Sequence, residues 1–193
     1  MGPDDLKRRA FSIDEMRHLA RRALPRAVFD FADGAAEGEK TLHRNEAAFD
    51  DLRLLPQPMK GAAARDLSIE LFGRRLSMPV LVGPTGLSGL FWPDGERCTA
   101  QAAAAAGTAF CLSHGSVCTL EALAQCGASP RWMQLFIYTD RGFTRELAER
   151  AQAAGYDALV LTIDNQLLGN RERDLRNGFT IPPRFGMRTL AET

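Results

Sequence analysis

Four short apolar runs in this sequence each end in small or polar residues suited to holding a ligand. Gly83-Pro84-Thr85-Gly86 closes the first and Ser113-His114-Gly115 the second; Gln134 lies in the third, and Thr162 with Asp164 closes the fourth. Hydroxyl and amide side chains there can exchange hydrogen bonds with a polar partner, and small residues let backbone approach it. A charged run, Arg171-Glu172-Arg173-Asp174, follows soon after. A planar guanidinium fork is well shaped for a carboxylate, although a solvated arginine in a charged run is the plainer reading. A single polar strand end could simply satisfy loop backbone. Four in succession point to a ligand lying across the face formed by the strand ends.

The elements that must position these groups follow from pattern. Ser12-x-x-Glu15 is a capping box, and Ile13, Met16, Leu19 and Ala23 recur at helical spacing behind it. Pro25 can open a second helix and Gly34 close it, and a third runs over about 41–49. "LSIELFGRRLSM" predicts a small hairpin turning at Gly73. From Pro79 onward the runs "MPVLVGPTG", "GTAFCLSHG", "RWMQLFIY" and "DALVLTID" lack clean alternation, as strands buried on both faces do. Helical stretches at 94–106, 120–125 and 143–154 separate them, so the class is α/β with parallel βα units.

This alternation fits a (β/α) barrel or an open doubly wound sheet. No GxGxxG follows any strand, so the dinucleotide fingerprint is absent. A closed barrel takes eight units and roughly 250 residues, and about four units are present here. The expectation is therefore the first half of a (β/α)8 TIM barrel, preceded by an N-terminal helical segment and the hairpin. Residues 1–60 would form the helical segment, 61–185 the half-barrel, and 186–193 a truncated loop or tail.

Composition narrows the partners. Twenty-four basic residues balance 24 acidic ones, which gives no electrostatic reason to expect nucleic acid or an anionic membrane. No apolar run reaches the length of a membrane span and the N-terminus is charged, which reads as cytoplasmic. Cys98, Cys111, Cys118 and Cys126 show no CxxC spacing and no histidine at ligand distance, so reduced thiols and no metal site are expected.

Longer motifs carry a family resemblance: "LPRAVFDFADGAAE", "SMPVLVGPTGLSGLFWPDGE", "QLFIY", "LTID", and "RERDLRNGF" before Pro182-Pro183. From Ser12 to about Arg184 the chain resembles the N-terminal half of the FMN-dependent L-2-hydroxy acid dehydrogenases and oxidases. That family includes glycolate oxidase, L-lactate dehydrogenase and (S)-mandelate dehydrogenase, and "GPTGLSGLFWPDGE" is nearest the last branch. The resemblance implies FMN as cofactor and a small 2-hydroxy acid as substrate. It implies that Pro84, Thr85 and Gly86 lie along the flavin ring, and that Ser113, Gln134 and Thr162 hydrogen-bond its polar edge and ribityl chain. It gives Arg171 the substrate carboxylate, and Asp164 the orientation of a histidine that takes the substrate hydroxyl proton. Tyr138 matches a family tyrosine, but a strand-end aromatic is as often packing as site.

That histidine, with a lysine near the flavin, a further arginine and the phosphate-binding loops, belongs to the family's second half. His18, His43 and His114 do not match it. The 193 residues alone are thus expected to be catalytically silent. They are read as the first half of an enzyme or, alternatively, as a non-catalytic half-barrel that self-associates or complements a separate second half. Phe31 and Phe136 stand where better-studied members have substrate-contacting tyrosines, and Asn165-Gln166 and Asn170 also depart from common family residues. The resemblance leaves the electron acceptor open among quinone, cytochrome and oxygen. Some members bind the inner membrane peripherally through the loop after the fourth strand.

Overall fold

The computed structural model describes residues 9–61, 64–128, 130–164 and 167–181. Asn165, Gln166, Pro182, Pro183, Arg184 and the expected tail at 186–193 lie outside the described residues. The chain falls into two compact units, one of Met1–Leu55 with Leu167–Thr193 and the other of Pro56–Gln166.

The first unit is helical. Helix α1 (Ile13–Ala23) starts on Ser12, whose Oγ accepts from the Glu15 amide at 3.2 Å. The Glu15 carboxylate reaches back to the Phe11 amide, one residue short of the reciprocal partner a capping box uses. Helix α2 (Arg26–Asp33) begins after Pro25 and stops at Gly34, where a Cβ would lie 2.7 Å from the Asp30 carbonyl oxygen. Helix α3 (Lys40–Ala47) tightens into a 3-10 turn at Ala48–Asp51.

The second unit opens with a hairpin, β1 (Ile69–Leu71) and β2 (Arg74–Leu76), paired antiparallel with Leu71 opposite Arg74. Its two-residue turn, Phe72-Gly73, has positive φ at both positions (49° and 70°), which matches the twist of the flanking strands. A short helix α4 (Ser88–Phe91) and α5 (Gly95–Ala105) lead to the sheet. Strand β3 (Phe110–Leu112), helix α6 (Leu120–Ala124), strand β4 (Arg131–Leu135), helix α7 (Arg141–Ala153) and strand β5 (Ala158–Leu161) then alternate. The order is β3-β4-β5, all parallel, with Phe110 opposite Arg131 and Trp132 opposite Ala158. The α/β class expected from the sequence is what the structure has.

Two strand expectations need correction. The run at 78–86 contributes one parallel bridge, Val82 to Phe110, in place of a full strand. Pro79 and Pro84 bracket it and supply no amide hydrogen, which leaves the Val82 amide on the Ala109 carbonyl and the Cys111 amide on the Val82 carbonyl, both at 3.0 Å. Strand β5 is not buried on both faces. Leu159, Leu161 and Ile163 are 50%, 48% and 77% exposed, because no described element covers the face they share. The core lies instead between β3, β4 and their helices, where Phe110, Leu112 and Met133 meet Ala103, Leu123 and Leu147. Among the described residues no helix is long and apolar enough to cross a membrane.

A last helix, α8 (Glu172–Asn177), belongs to the first unit and was not anticipated. Its ends carry the usual signals, with Glu172 and Asp174 in the first turn, Arg176 in the last, and Gly178 at φ 63° beyond it.

Candidate functional site

In the second unit the polar strand ends are joined to one another. Gln134, 3% exposed at the end of β4, accepts on Oε1 from the Ser113 hydroxyl (3.3 Å) and the His114 amide (3.0 Å). Its Nε2 donates to the Thr162 Oγ1 at 2.9 Å. Parallel register makes this possible, because Gln134 pairs with Val160 and Thr162 follows two residues on, on the same face. The Ser113 hydroxyl also accepts from the Gly115 amide at 3.1 Å. The row is neutral, buried at Ser113 and Gln134 and half-buried at Thr162, and the second N–H of Gln134 remains for a further partner.

The turn at Pro84, Thr85 and Gly86 is fastened beside this row. The Leu87 amide donates to the Gly115 carbonyl at 3.0 Å, and the Ser88 hydroxyl to the Thr85 carbonyl at 3.3 Å. A Cβ on Gly86 would come within 3.4 Å of the Gly115 carbonyl oxygen and 3.7 Å of the Ser113 Oγ, so the close approach favours glycine. Pro84 and Thr85 are exposed. Asp164 is also exposed and makes no hydrogen bond or ion pair among the described residues, so it joins none of these groups.

Around the row lies an aromatic and titratable wall. The His114 ring meets Phe136 edge-on at 5.8 Å, and its Nε2 is hydrogen-bonded to the Tyr138 hydroxyl. Burial holds the imidazole below its ordinary 6.5 and pushes the phenol up, which keeps both neutral at physiological pH. The His114–Tyr138 pair was not anticipated; alternation places both at strand ends, but nothing local says that they touch. Glu96 was missed as well. It is buried at the start of α5 and accepts from the Val117 amide at 3.1 Å, tying that helix to the loop after β3.

The first unit holds the other two site candidates. Arg171 precedes α8 and is not free in solvent. Its Nε donates to Asp174 and its Nη2 to the Phe31 carbonyl, both at 2.5 Å, while the guanidinium lies 5.2 Å from the Phe31 ring centroid. Phe31 in turn stacks on Phe179 at 4.6 Å. Asp174 is 8% exposed, and its Oδ1 is buried without a partner. The Asn170 carbonyl accepts from the Glu37 amide, which fixes the approach to Arg171.

Comparison with known proteins gives this geometry a context. Residues 20–193 match the family model described as FMN-dependent dehydrogenase. The chain is 44% identical over 168 residues to an L-lactate dehydrogenase of Ectopseudomonas mendocina (strain ymp), covering 87% of this chain and 44% of that protein. It is similar to a soluble mutant of the membrane-associated (S)-mandelate dehydrogenase of Pseudomonas putida, with a TM-score of 0.85, 38% identity, and coverage of 93% of this chain and 51% of that one. A monotopic membrane protein, also an (S)-mandelate dehydrogenase, gives a TM-score of 0.87 at 36% identity, over 95% of this chain and 49% of that one. The chain spans about half the length of the curated relatives it matches. The α/β fold is therefore similar to that of the mandelate dehydrogenase barrel.

Proposed function

The chain belongs to the family of FMN-dependent dehydrogenases, and we propose that it forms the first half of a (β/α)8 barrel that oxidises an L-2-hydroxy acid to the 2-oxo acid. In this reading 1–60 is the helical preface, 61–185 carries the first barrel units and 186–193 begins a loop. The observation that carries the reading is the hydrogen-bonded row Ser113–Gln134–Thr162, centred on the buried Gln134.

The residues fit FMN by the chemistry of their donor set. A flavin's polar edge carries donors and acceptors without charge, and the row offers an unused amide N–H and hydroxyl lone pairs in a buried, neutral setting. Pro84, Thr85 and Gly86 supply a close-packed turn against which a flat ring can lie. When bound, FMN supplies the acceptor for the two electrons removed from the substrate. Arg171 would hold the substrate carboxylate with the N–H groups not given to Asp174 and Phe31. Phe31 and Phe136 would line the substrate without the hydroxyls of their family counterparts, which favours an apolar side chain over a small polar one.

Asp164 would orient the proton-accepting histidine and stabilise its charged form. None of His18, His43 and His114 is that histidine in this reading; it is supplied from outside residues 1–193. Peripheral attachment to the inner membrane is part of the proposal, in line with the monotopic relative. The test is reductive bleaching of FMN by L-lactate, L-mandelate and glycolate. Residues 1–193 alone should leave the flavin oxidised and should become active when complemented by the remaining barrel; turnover by these residues alone would overturn the assignment of Asp164.

A second reading is favoured by the exposed row Leu159, Leu161 and Ile163. It makes the chain a non-catalytic half-barrel that self-associates or joins a separate half along β5. A compact dimer in size-exclusion chromatography, with no gain of flavin chemistry on complementation, would support it.

A further inference from the structure

We propose that the helices of the first unit form a binding site for a multivalent oxyanion, a small ligand carrying two or more negative charges on phosphate or carboxylate oxygens. A cavity of about 360 Å³ lies among α1, α2 and α8, a size suited to a small ligand. Each helix turns one stripe toward it. Arg17 and Arg21 stand at i, i+4 on α1, Arg26 shares a stripe of α2 with Asp30 and Asp33, and α8 brings Arg173, Arg176 and Asn177. Five guanidiniums thus face two carboxylates.

Those two carboxylates are occupied. Asp33 takes Arg17 and, at 3.0 Å, Arg173. Asp30 takes the Asn177 side-chain amide at 2.7 Å. Arg173 and Arg176 also meet Glu39 and Glu172, which lie outside the cavity lining. Arg21 has no ion pair among the described residues, and Arg26 is 86% exposed with a single 3.4 Å contact to Asp30. Those two heads are therefore available to a ligand, while the inner arginines are held in place by the carboxylates they pair with. A merely solvated basic face would spread its cations along one helix. Here they come from segments about 150 residues apart in sequence and converge on one concavity.

This site is separate from the substrate role proposed for Phe31. At roughly 100° per residue, Arg26, Asp30 and Asp33 form one stripe of α2, and Phe31 lies about 140° around the helix from it. Arginine is the side chain best matched to such a ligand, because its fork pairs with two oxygens at once and stays charged at any physiological pH.

The experiment is calorimetric titration of the full 193-residue chain with inorganic pyrophosphate and, separately, with citrate, at constant ionic strength with chloride as control. Saturable binding of at least one probe, one per chain, is expected. It should weaken about tenfold or more in Arg21→Ala and in Arg26→Ala. It should not change in Arg145→Ala, an exposed arginine of α7 in the other unit. Preference for pyrophosphate assigns a phosphate ligand and preference for citrate a polycarboxylate. Heats no different from chloride, or variants that bind like the parent, overturn the site. Circular dichroism checks folding; if Arg26→Ala disturbs the helices, Arg21→Ala, which breaks no ion pair, decides the matter.

Discussion

The row that Gln134 joins at the ends of β3, β4 and β5 is neutral and largely buried, whereas the polar groups on α1, α2 and α8 are charged and partly open to water. The neutral row satisfies itself through one glutamine that reaches both neighbouring strands, so no charge has to leave water. The helical cluster instead balances guanidiniums against carboxylates and gains from each pair only what remains after desolvation. A neutral row suits a partner with both donors and acceptors on its edge, and a cationic cluster suits an anion.

The most disruptive way to break this contrast is Gln134→Leu. It removes three hydrogen bonds at once and leaves the half-buried His114 amide without its acceptor. A loss of about 3 kcal/mol is expected in urea unfolding, together with loss of FMN retention on gel filtration by the chain complemented with the remaining barrel. Unchanged stability would mean that the row is not what holds the strand ends together. Asp174→Ala comes next. It leaves Arg171 without its carboxylate but frees the unpartnered Oδ1 from burial, and about 2 kcal/mol is expected after allowing for the partial exposure of Arg171.

Acid should separate the two clusters. The Arg17 hydrogen bond, with Arg173 beside it, holds the Asp33 carboxyl below its ordinary 3.8 although burial pushes the other way. The folded value lies below the unfolded one, so this stabilisation is full above about pH 4 and is lost as pH falls through the lowered value. His114 is also depressed, by burial, so its protonation opposes folding sooner, as pH falls below about 6.5. Thermal melts from neutral pH downward should show an early loss that His114→Gln removes and a late one that Asp33→Asn removes. The smallest effect is expected from Glu172→Ala, which breaks an exposed i, i+4 pair with Arg176. A change below about 0.5 kcal/mol is expected, abolished by added salt.

Much of the second unit is written locally in the sequence. The Phe72-Gly73 turn, the helix starts at Thr119 and Asp140, and the apolar strands each follow from a few adjacent residues. Polar strand ends were visible too, but their hydrogen bonding through Gln134 depends on a register that no local pattern states. The first unit was harder. Arg173 pairs with Asp33 and Glu39 across 140 and 134 residues, so the docking of α8 among the N-terminal helices cannot be read from either segment. Arg171 looked like one more solvated charge for the same reason, since its partners are a carbonyl from α2 and a buried carboxylate on its own helix. The single bridge at Val82 shows the reverse limit: apolar content predicted a strand, and the bracketing prolines kept it from laddering.

The order β3-β4-β5 has a consequence for how the chain folds. Each strand pairs with the one before it in sequence, so the ladder can be extended in the order in which the residues are synthesised, without waiting for distant segments. The newest strand is then always the one that presents unpaired backbone and uncovered apolar side chains. Leu159, Leu161 and Ile163 hold that position on β5, which makes this edge the place where a nascent chain is most prone to aggregate and where a chaperone has most to shield.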